Sequence, residues 1–177
     1  MILLINICKE KLHTYEFVKP IENILKQNNL QNKIKHYKEI KETEIKKFSK
    51  VIICGTSLKD NQYLKEINKF NWIKEGEKPI LGICGGMQII GLIYGGELKQ
   101  KTEIGYYKEK FTSFLGLKGE QQVYHLHNNY IQFTKEFQEY SDSEINQAIK
   151  HKNKNIYGAL FHPEVRQKSL ITNFCKI

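Results

Sequence analysis

A cysteine and a histidine–glutamate pair stand at positions where they could form a nucleophilic triad. Cys84 lies in the segment PILGICGGMQ, between an apolar run typical of a strand and another typical of a helix. Gly82, Gly85 and Gly86 are small enough for the tight, crowded turn that exposes a nucleophile at the top of a sheet. A thiol at a helix N-terminus faces free N–H groups and the positive end of the helix dipole. The pattern predicts that Cys84 is a nucleophile and that the N–H of Gly85 can hold an oxyanion.

A cysteine nucleophile needs a base, and the base needs a group that orients it. Both are present in the segment IYGALFHPEV, where His162 follows the apolar run 156–161 and Glu164 stands two residues further on. At a strand end this spacing can place both side chains on one side, so that Glu164 binds one ring nitrogen while the other faces Cys84. Each motif alone also fits a buried cysteine or a simple strand-end turn. Together they predict a Cys84–His162–Glu164 triad.

The elements that must position this triad alternate between strand and helix. Apolar runs at 2–8, 50–55 and 78–84 are typical of buried parallel strands, and 33–40 is a further strand candidate. Helices are predicted after the first strand, with Pro20 in the first turn, from Asp60 or Asn61 to Phe70, over 87–94 and over 166–177. The alternation predicts an α/β protein with a mostly parallel sheet and helices on both faces.

The middle of the chain has a different pattern. Residues 105–117 and 121–133 are rich in aromatic and β-branched residues with polar breaks, which is typical of antiparallel strands. A hairpin with its turn at 152–154 follows them. These segments predict a small antiparallel sheet beside the parallel one. The length of 177 residues suits a single domain over residues 1–177.

Composition excludes several classes of function. No apolar run is long enough to span a membrane, and no signal peptide is expected. Four cysteines without Cys-x-x-Cys spacing argue against a zinc site or a disulfide scaffold and favour a reducing, cytoplasmic location. The net charge is +9, but Arg166 is the single arginine and the lysines are spread along the chain. This favours a solvated basic surface over a nucleic-acid site.

The segments PILGICGGMQIIGLIYGGEL and IYGALFHPEV resemble those of the class I, triad-type, glutamine amidotransferases. Within that family the chain most resembles the stand-alone glutaminase subunits of archaeal GMP synthase, and the resemblance extends over nearly its whole length. It implies a three-layer, flavodoxin-like α/β fold. It also implies hydrolysis of L-glutamine to glutamate and ammonia through a γ-glutamyl thioester on Cys84, with His162 protonating the departing ammonia.

The resemblance implies roles for further residues and for a partner. The oxyanion would be held by the backbone N–H groups of Gly85 and of Thr56 or Gly55. The residues that would bind glutamine are Gln88, His127, Asn128 and Asn129. No cofactor is expected in this chain. The ammonia would pass to a separate synthetase subunit that uses ATP and Mg²⁺, and in GMP synthase that subunit converts XMP to GMP.

Two segments depart from the family pattern. The loop that usually reads Ser-Gly-Gly-Pro is Cys-Gly-Thr-Ser at residues 54–57, and Ser-His-Gly-Asp is replaced by Leu-His-Asn-Asn at 126–129. Thr56 is β-branched and is expected to resist the backbone angles that glycine permits, so catalysis is expected to need a partner that sets this loop. Other acceptors therefore stay open, including a tRNA base, chorismate or an unknown molecule. Two other classes of protein also stay open, namely a γ-glutamyl or cysteine hydrolase and a regulatory subunit without catalysis.

His125 and His127 form a His-x-His pair, which on a strand places both rings on one face. This resembles half of a metal site. No third histidine or carboxylate is spaced to complete it. We therefore expect no metal, with one ring on the substrate side and the other at the surface.

Overall fold

The computed structural model describes all residues 1–177 and contains nine strands. They are β1 (Ile2–Asn6), β2 (Asn32–His36), β3 (Lys50–Ile53), β4 (Ile80–Ile83), β5 (Glu97–Phe114), β6 (Leu117–Gln132), β7 (Phe137–Glu139), β8 (Ala148–His151) and β9 (Ile156–Ala159). Seven strands form one sheet in the order β2-β1-β3-β4-β9-β8-β7, and β5 and β6 form a second, antiparallel sheet. The first five strands of the large sheet are parallel. The predicted fold class is confirmed.

Helices cover both faces of the large sheet. They are α1 (Lys11–Phe17), α2 (Lys19–Gln27), α3 (Glu42–Ile45), α4 (Gln62–Lys65), α5 (Trp72–Glu75), α6 (Gly85–Ile93) and α7 (Lys168–Cys175), with 3-10 turns at Tyr37–Glu39 and Ile67–Phe70. None of these helices has the length and apolar character that crossing a membrane would require.

Two hydrophobic cores lie on opposite faces of the sheet, which makes three layers. In β1, Ile2 and Leu4 pack in the core beneath α1, α2 and α7. Leu3 and Ile5 pack in the core beneath α3 to α6. Because successive side chains of a strand point to opposite faces, a continuous apolar run is what a strand covered on both faces needs.

The helix predicted from residue 60 or 61 to residue 70 is broken. Its place is taken by α4, the 3-10 turn at Ile67–Phe70 and α5. The N–H groups of Glu66, Lys69 and Asn71 bond to carbonyls three residues earlier, which is the tighter 3-10 pattern. The side chain of Asn61 makes no capping hydrogen bond. The strand predicted over 33–40 is also shorter, because a 3-10 turn begins at Tyr37.

The strands β5 and β6 form a long two-stranded ribbon. They are joined by Leu115 and Gly116, whose φ angles of 48° and 90° fit the tight hairpin turns that require positive φ at both central residues. Phe111, Phe114 and Leu117 anchor one end in the core. At the other end Ile131 packs closely on the helix α6. The ribbon is therefore held at both ends, with its middle residues near the carboxyl ends of the parallel strands.

Candidate active site

Cys84 occupies a sharp turn between β4 and α6. Its φ and ψ are 49° and −106°, which is rare for a residue with a side chain. Its N–H donates to the carbonyl of Ala159 at 2.8 Å, and its carbonyl accepts from the N–H of Gln88 at 3.1 Å. These bonds hold the turn in place. Because α6 begins at Gly85, directly after Cys84, the first N–H groups of that helix have no partner within it.

The glycines around Cys84 are required by close packing. A Cβ on Gly86 would overlap the carbonyl oxygen of Ile53, and one on Gly82 would lie 2.5 Å from the backbone of Gly86. Neither contact is sterically possible. The glycines let α6 approach the sheet closely enough to place Cys84 at the carboxyl ends of the strands.

His162 and Glu164 follow β9, the strand next to β4. The Nδ1 of His162 lies 2.7 Å from Oε1 of Glu164, and both side chains are buried. The other ring nitrogen, Nε2, is buried without a nitrogen or oxygen partner. A Cβ built on Gly55 would lie 2.7 Å from Cε1 of His162 and 3.3 Å from Cβ of Cys84, so the two side chains flank the same point. The structure thus brings Cys84, His162 and Glu164 together.

The surroundings of His162 favour its protonated form. Burial lowers the pKa of this ring, but the charges of Glu164 and Cys84 and their hydrogen bonds outweigh burial, and the pKa lies well above its ordinary value. A protonated ring next to a sulfur nucleophile is a proton donor for a leaving amine.

The loop after β3 offers two further backbone donors. Neither the N–H of Gly55 nor that of Thr56 makes a hydrogen bond within the protein. Thr56 does not have a positive φ, so this loop does not use the backbone freedom of glycine at that position. Instead, Oγ1 of Thr56 donates to Oδ2 of Asp60 at 2.9 Å, and the same carboxylate oxygen accepts from the N–H of Lys9. Sequence reasoning missed Asp60 in this positioning role.

A narrow pocket lies over Cys84. Its walls come from three segments, namely 56–63, 84–88 and 126–129. The cavity volume is about 10 Å³, which is room for about one water molecule. Its roof is joined by a hydrogen bond of 3.1 Å from Nδ2 of Asn128 to the carbonyl of Leu58. This bond links the segments 56–61 and 126–129 directly.

The structure places Gln88 and Asn129 in the pocket wall, bonded to each other. Nε2 of Gln88 donates to the carbonyl of Asn129 at 2.9 Å, and Oε1 accepts from the hydroxyl of Tyr63 at 2.6 Å. Both ends of the Gln88 side chain are therefore already engaged. Tyr63 also lines the pocket, a role that the sequence analysis did not identify.

His127 also lines the pocket, and it lies close to Glu103 and His125. The expectation that no third ligand-type group lies near the His-x-His pair is wrong, because Glu103 faces His127 across the ribbon and bonds His125. Both rings are buried, so the expectation of one surface histidine is also wrong. Burial lowers the pKa of His127 to about 4, against the opposing effect of Glu103. The facing carboxylate could not be found from the sequence because the strand register was unknown.

The fold and this site define a class of α/β protein with a cysteine at a strand–turn–helix elbow. A family model described as glutamine amidotransferase class-I matches residues 13–175. The chain belongs to this family.

The curated relatives have one recurrent name. The chain is 36% identical over 125 residues to a protein named as a glutamine-hydrolyzing GMP synthase subunit from Methanococcus maripaludis, covering 63% of this chain and 66% of that protein. It is 38% identical over 112 residues to the protein of the same name from Methanocaldococcus jannaschii, covering 56% and 60%. The matched segment thus spans just under two thirds of these relatives.

Solved structures share the fold. A protein from Thermoplasma acidophilum, described as a putative GMP synthase subunit, superposes with a TM-score of 0.87 at 24% identity, covering 99% of this chain and 92% of that one. A glutamine amidotransferase from Thermotoga maritima gives a TM-score of 0.74 at 21% identity, covering 99% and 80%.

Proposed function

We propose that this chain hydrolyses L-glutamine to glutamate and ammonia, as a single glutaminase domain over residues 1–177, and passes the ammonia to a separate synthetase subunit. The observation that carries the proposal is the position of Cys84, on a strained elbow beside a buried histidine ring that Glu164 orients. Such a pair is how a weak thiol nucleophile is activated.

In the proposed reaction the thiol proton of Cys84 passes to His162, and the sulfur attacks the side-chain amide carbon of glutamine. The C–S bond forms as the carbonyl π electrons move to oxygen, where the N–H groups of Gly85 and of Thr56 or Gly55 hold the oxyanion. The oxyanion collapses, the C–N bond breaks, and His162 protonates the departing ammonia. Water, deprotonated by His162, then attacks the γ-glutamyl thioester. The C–S bond breaks, His162 returns its proton to the sulfur, and glutamate and the thiol are released.

Substrate binding in this proposal requires the pocket to open. A cavity of about 10 Å³ cannot hold glutamine. We propose that the roof segments 56–61 and 126–129 separate, which breaks the bond between Asn128 and Leu58, and that His127, Asn128, Asn129 and Gln88 then face the amino acid. A partner that stabilises the open form would make glutamine hydrolysis faster than it is in the isolated chain.

The proposed acceptor is XMP, which a separate ATP- and Mg²⁺-dependent subunit would convert to GMP in the cytoplasm. The names of the archaeal relatives support this choice. This chain would carry no cofactor of its own. In a direct test, a candidate synthetase is given XMP, ATP and Mg²⁺ with either ammonium or glutamine. We expect GMP from ammonium without this chain, and GMP from glutamine only in its presence. Failure with glutamine would point to another acceptor.

The glutaminase step is tested by measuring ammonia release from glutamine, with and without the synthetase. Cys84→Ala should abolish release, and a glutamine-analogue alkylating agent should label Cys84 alone. Cys175→Ala is the matched control, since this thiol is free and outside the pocket, and it should keep full activity. Labelling of another cysteine, or faster hydrolysis of γ-glutamyl peptides than of glutamine, would contradict the proposal.

A further inference from the structure

Three buried side chains on the inner face of the ribbon converge on one carboxylate oxygen. Oε2 of Glu103 lies 2.8 Å from Nδ1 of His125 and 3.1 Å from Nε2 of His127. The three residues offer one ligand atom each, all within 4.8 Å of one another. With Zn–N bonds of about 2.0–2.1 Å, neighbouring ligands of a tetrahedral ion lie about 3.3–3.4 Å apart. A small movement of these side chains would create the spacing that such an ion requires.

The ribbon itself builds this convergence. Glu103 is directly opposite His127 in the strand register, and His125 is opposite Gly105. The register is interrupted between Gln100 and Glu103. Such irregularities re-aim side chains, and this one immediately precedes Glu103. Because alternate residues share a face, the cluster faces inward while Ile104 and Tyr106 face outward and are exposed.

Hydrogen bonding within the protein does not satisfy the cluster. Oε2 of Glu103 is approached by both rings and, at 3.2 Å, by Nε2 of Gln147. Nevertheless Nδ1 and Nε2 of His127, Nε2 of His125 and Oε1 of Gln147 are buried without a hydrogen-bond partner. Orphaned buried polar atoms are costly, and an ion that drew His127 Nε2 and the carboxylate together would remove part of that cost.

The surroundings also resemble those of metal-binding histidines. Nε2 of His125, the nitrogen that would face away from an ion on Nδ1, lies 3.6 Å from Oε1 of Glu109. A carboxylate behind a ligating imidazole is the usual arrangement that fixes its tautomer. The ring of Tyr107 stacks on His125 with centroids 4.5 Å apart. Lys101 pairs with Oε1 of Glu103 at 3.5 Å, so the other carboxylate oxygen, Oε2, is the one that faces the two histidines.

We propose that Glu103, His125 and His127 form a site for a divalent transition metal such as Zn²⁺, bound by Oε2, Nδ1 and Nε2 respectively. Two imidazoles and one carboxylate are a common donor set for zinc with an open coordination position. Gln147 is placed to fill that position if its amide turns to present Oε1. Since His127 also lines the pocket over Cys84, a bound ion would fix the 126–129 wall, and the segment 56–61 would then be the one that moves when the pocket opens.

The site is tested by titrating the metal-free full-length chain with Co²⁺ in the absence of glutamine, so the result does not depend on the proposed activity. We expect one Co²⁺ per chain and the visible absorption of low-coordinate Co²⁺, without the charge-transfer band of a cobalt–thiolate bond. Cys84→Ser should leave the spectrum unchanged. A thiolate band that disappears in Cys84→Ser would assign the metal to Cys84 and overturn the proposal, as would no binding at all.

Variants test the ligands by competition for Zn²⁺ against a chromophoric chelator. Glu103→Gln and His125→Gln should each lower the affinity by about a hundredfold or more, and Glu109→Gln, which keeps all three ligands, by about tenfold. Glu97→Gln, an exposed position on the same strand, should have no effect. Unchanged affinity in Glu103→Gln would overturn the assignment. If the ligand variants do not fold, Glu109→Gln and the wild-type cobalt spectrum decide the question.

Discussion

At the scale of single residues, the environment of Cys84 and His162 is set by a few side chains. Two short motifs pointed to Cys84, His162 and Glu164, because each motif is defined by neighbours in sequence, and the structure brings the three side chains together. Glu103 and Asp60 escaped that reasoning, since each acts on residues that only the strand register or a loop conformation brings near. A site can be predicted from the sequence when its residues belong to short local motifs. A contact between side chains on different strands can be identified only once the fold is known.

The pH dependence of the proposed glutaminase should depend on Glu164. This carboxylate raises the pKa of His162, so its removal should lower that pKa. The ring must be protonated to donate to ammonia, and activity is lost as the pH rises through this pKa. In Glu164→Gln the alkaline limb of kcat/KM should therefore move to lower pH. At neutral pH the variant should keep about a hundredfold more activity than His162→Ala. An unshifted alkaline limb would contradict this role.

At the scale of elements, the apolar strands were predictable and the segments between them were less so. The strands β1, β3 and β4 are buried on both faces and carry unbroken apolar runs. The helix predicted up to Phe70 is broken, because tertiary packing of Tyr63, Phe70 and Trp72 decides its course over local propensity. The register of β5 and β6 also depends on their turn.

The loop between β3 and α4 should depend on Asp60. This buried carboxylate accepts from the hydroxyl of Thr56 and from the N–H of Lys9. Asp60→Ala leaves both donors without this acceptor, and we expect a loss of about 1–3 kcal/mol in the free energy of unfolding, measured with urea. Asp142→Ala, at an exposed position, is the control and should change it little. Equal stability of the two variants would show that Asp60 does not hold the loop.

The approach of α6 to the sheet should not tolerate a methyl group at Gly86. Its Cβ would overlap the carbonyl oxygen of Ile53, so Gly86→Ala should lower the free energy of unfolding by about 3 kcal/mol or more, or prevent folding. Gly95→Asn is the control, since Gly95 has a positive φ of 81° with no atom near its Cβ position and asparagine tolerates that angle. A stable Gly86→Ala chain would contradict the close approach of α6 to the carbonyl oxygen of Ile53.

At the scale of the whole molecule, the charge of +9 belongs to a surface of dispersed lysines. Many of them pair with glutamates, including Lys35 with Glu44 and Lys38 with Glu66. Arg166, the single arginine, lies over the ring of Tyr106. Such a surface attracts nucleic acid through charge alone, without side chains arranged to read bases.

Binding of tRNA should accordingly be weak and dependent on salt. In an electrophoretic shift assay we expect any complex present at about 50 mM salt to be lost by about 200 mM, because it rests on counterion release. The affinity should be the same for unrelated RNAs of equal length. A complex that persists at the higher salt and prefers one RNA would favour a nucleic-acid function for this chain.

The two-stranded ribbon also connects the inside of the protein to its outside. Glu103 points inward to His125 and His127, while Ile104, the next residue, is 54% exposed on the opposite side. Only the thickness of a single pleated layer separates the two environments. Both ends of the ribbon are fixed by packing, at Phe111 and Phe114 on one side and at Ile131 on the other. A molecule bound to the outer surface of the ribbon would therefore lie one pleated layer away from Glu103 and from His127, which lines the pocket.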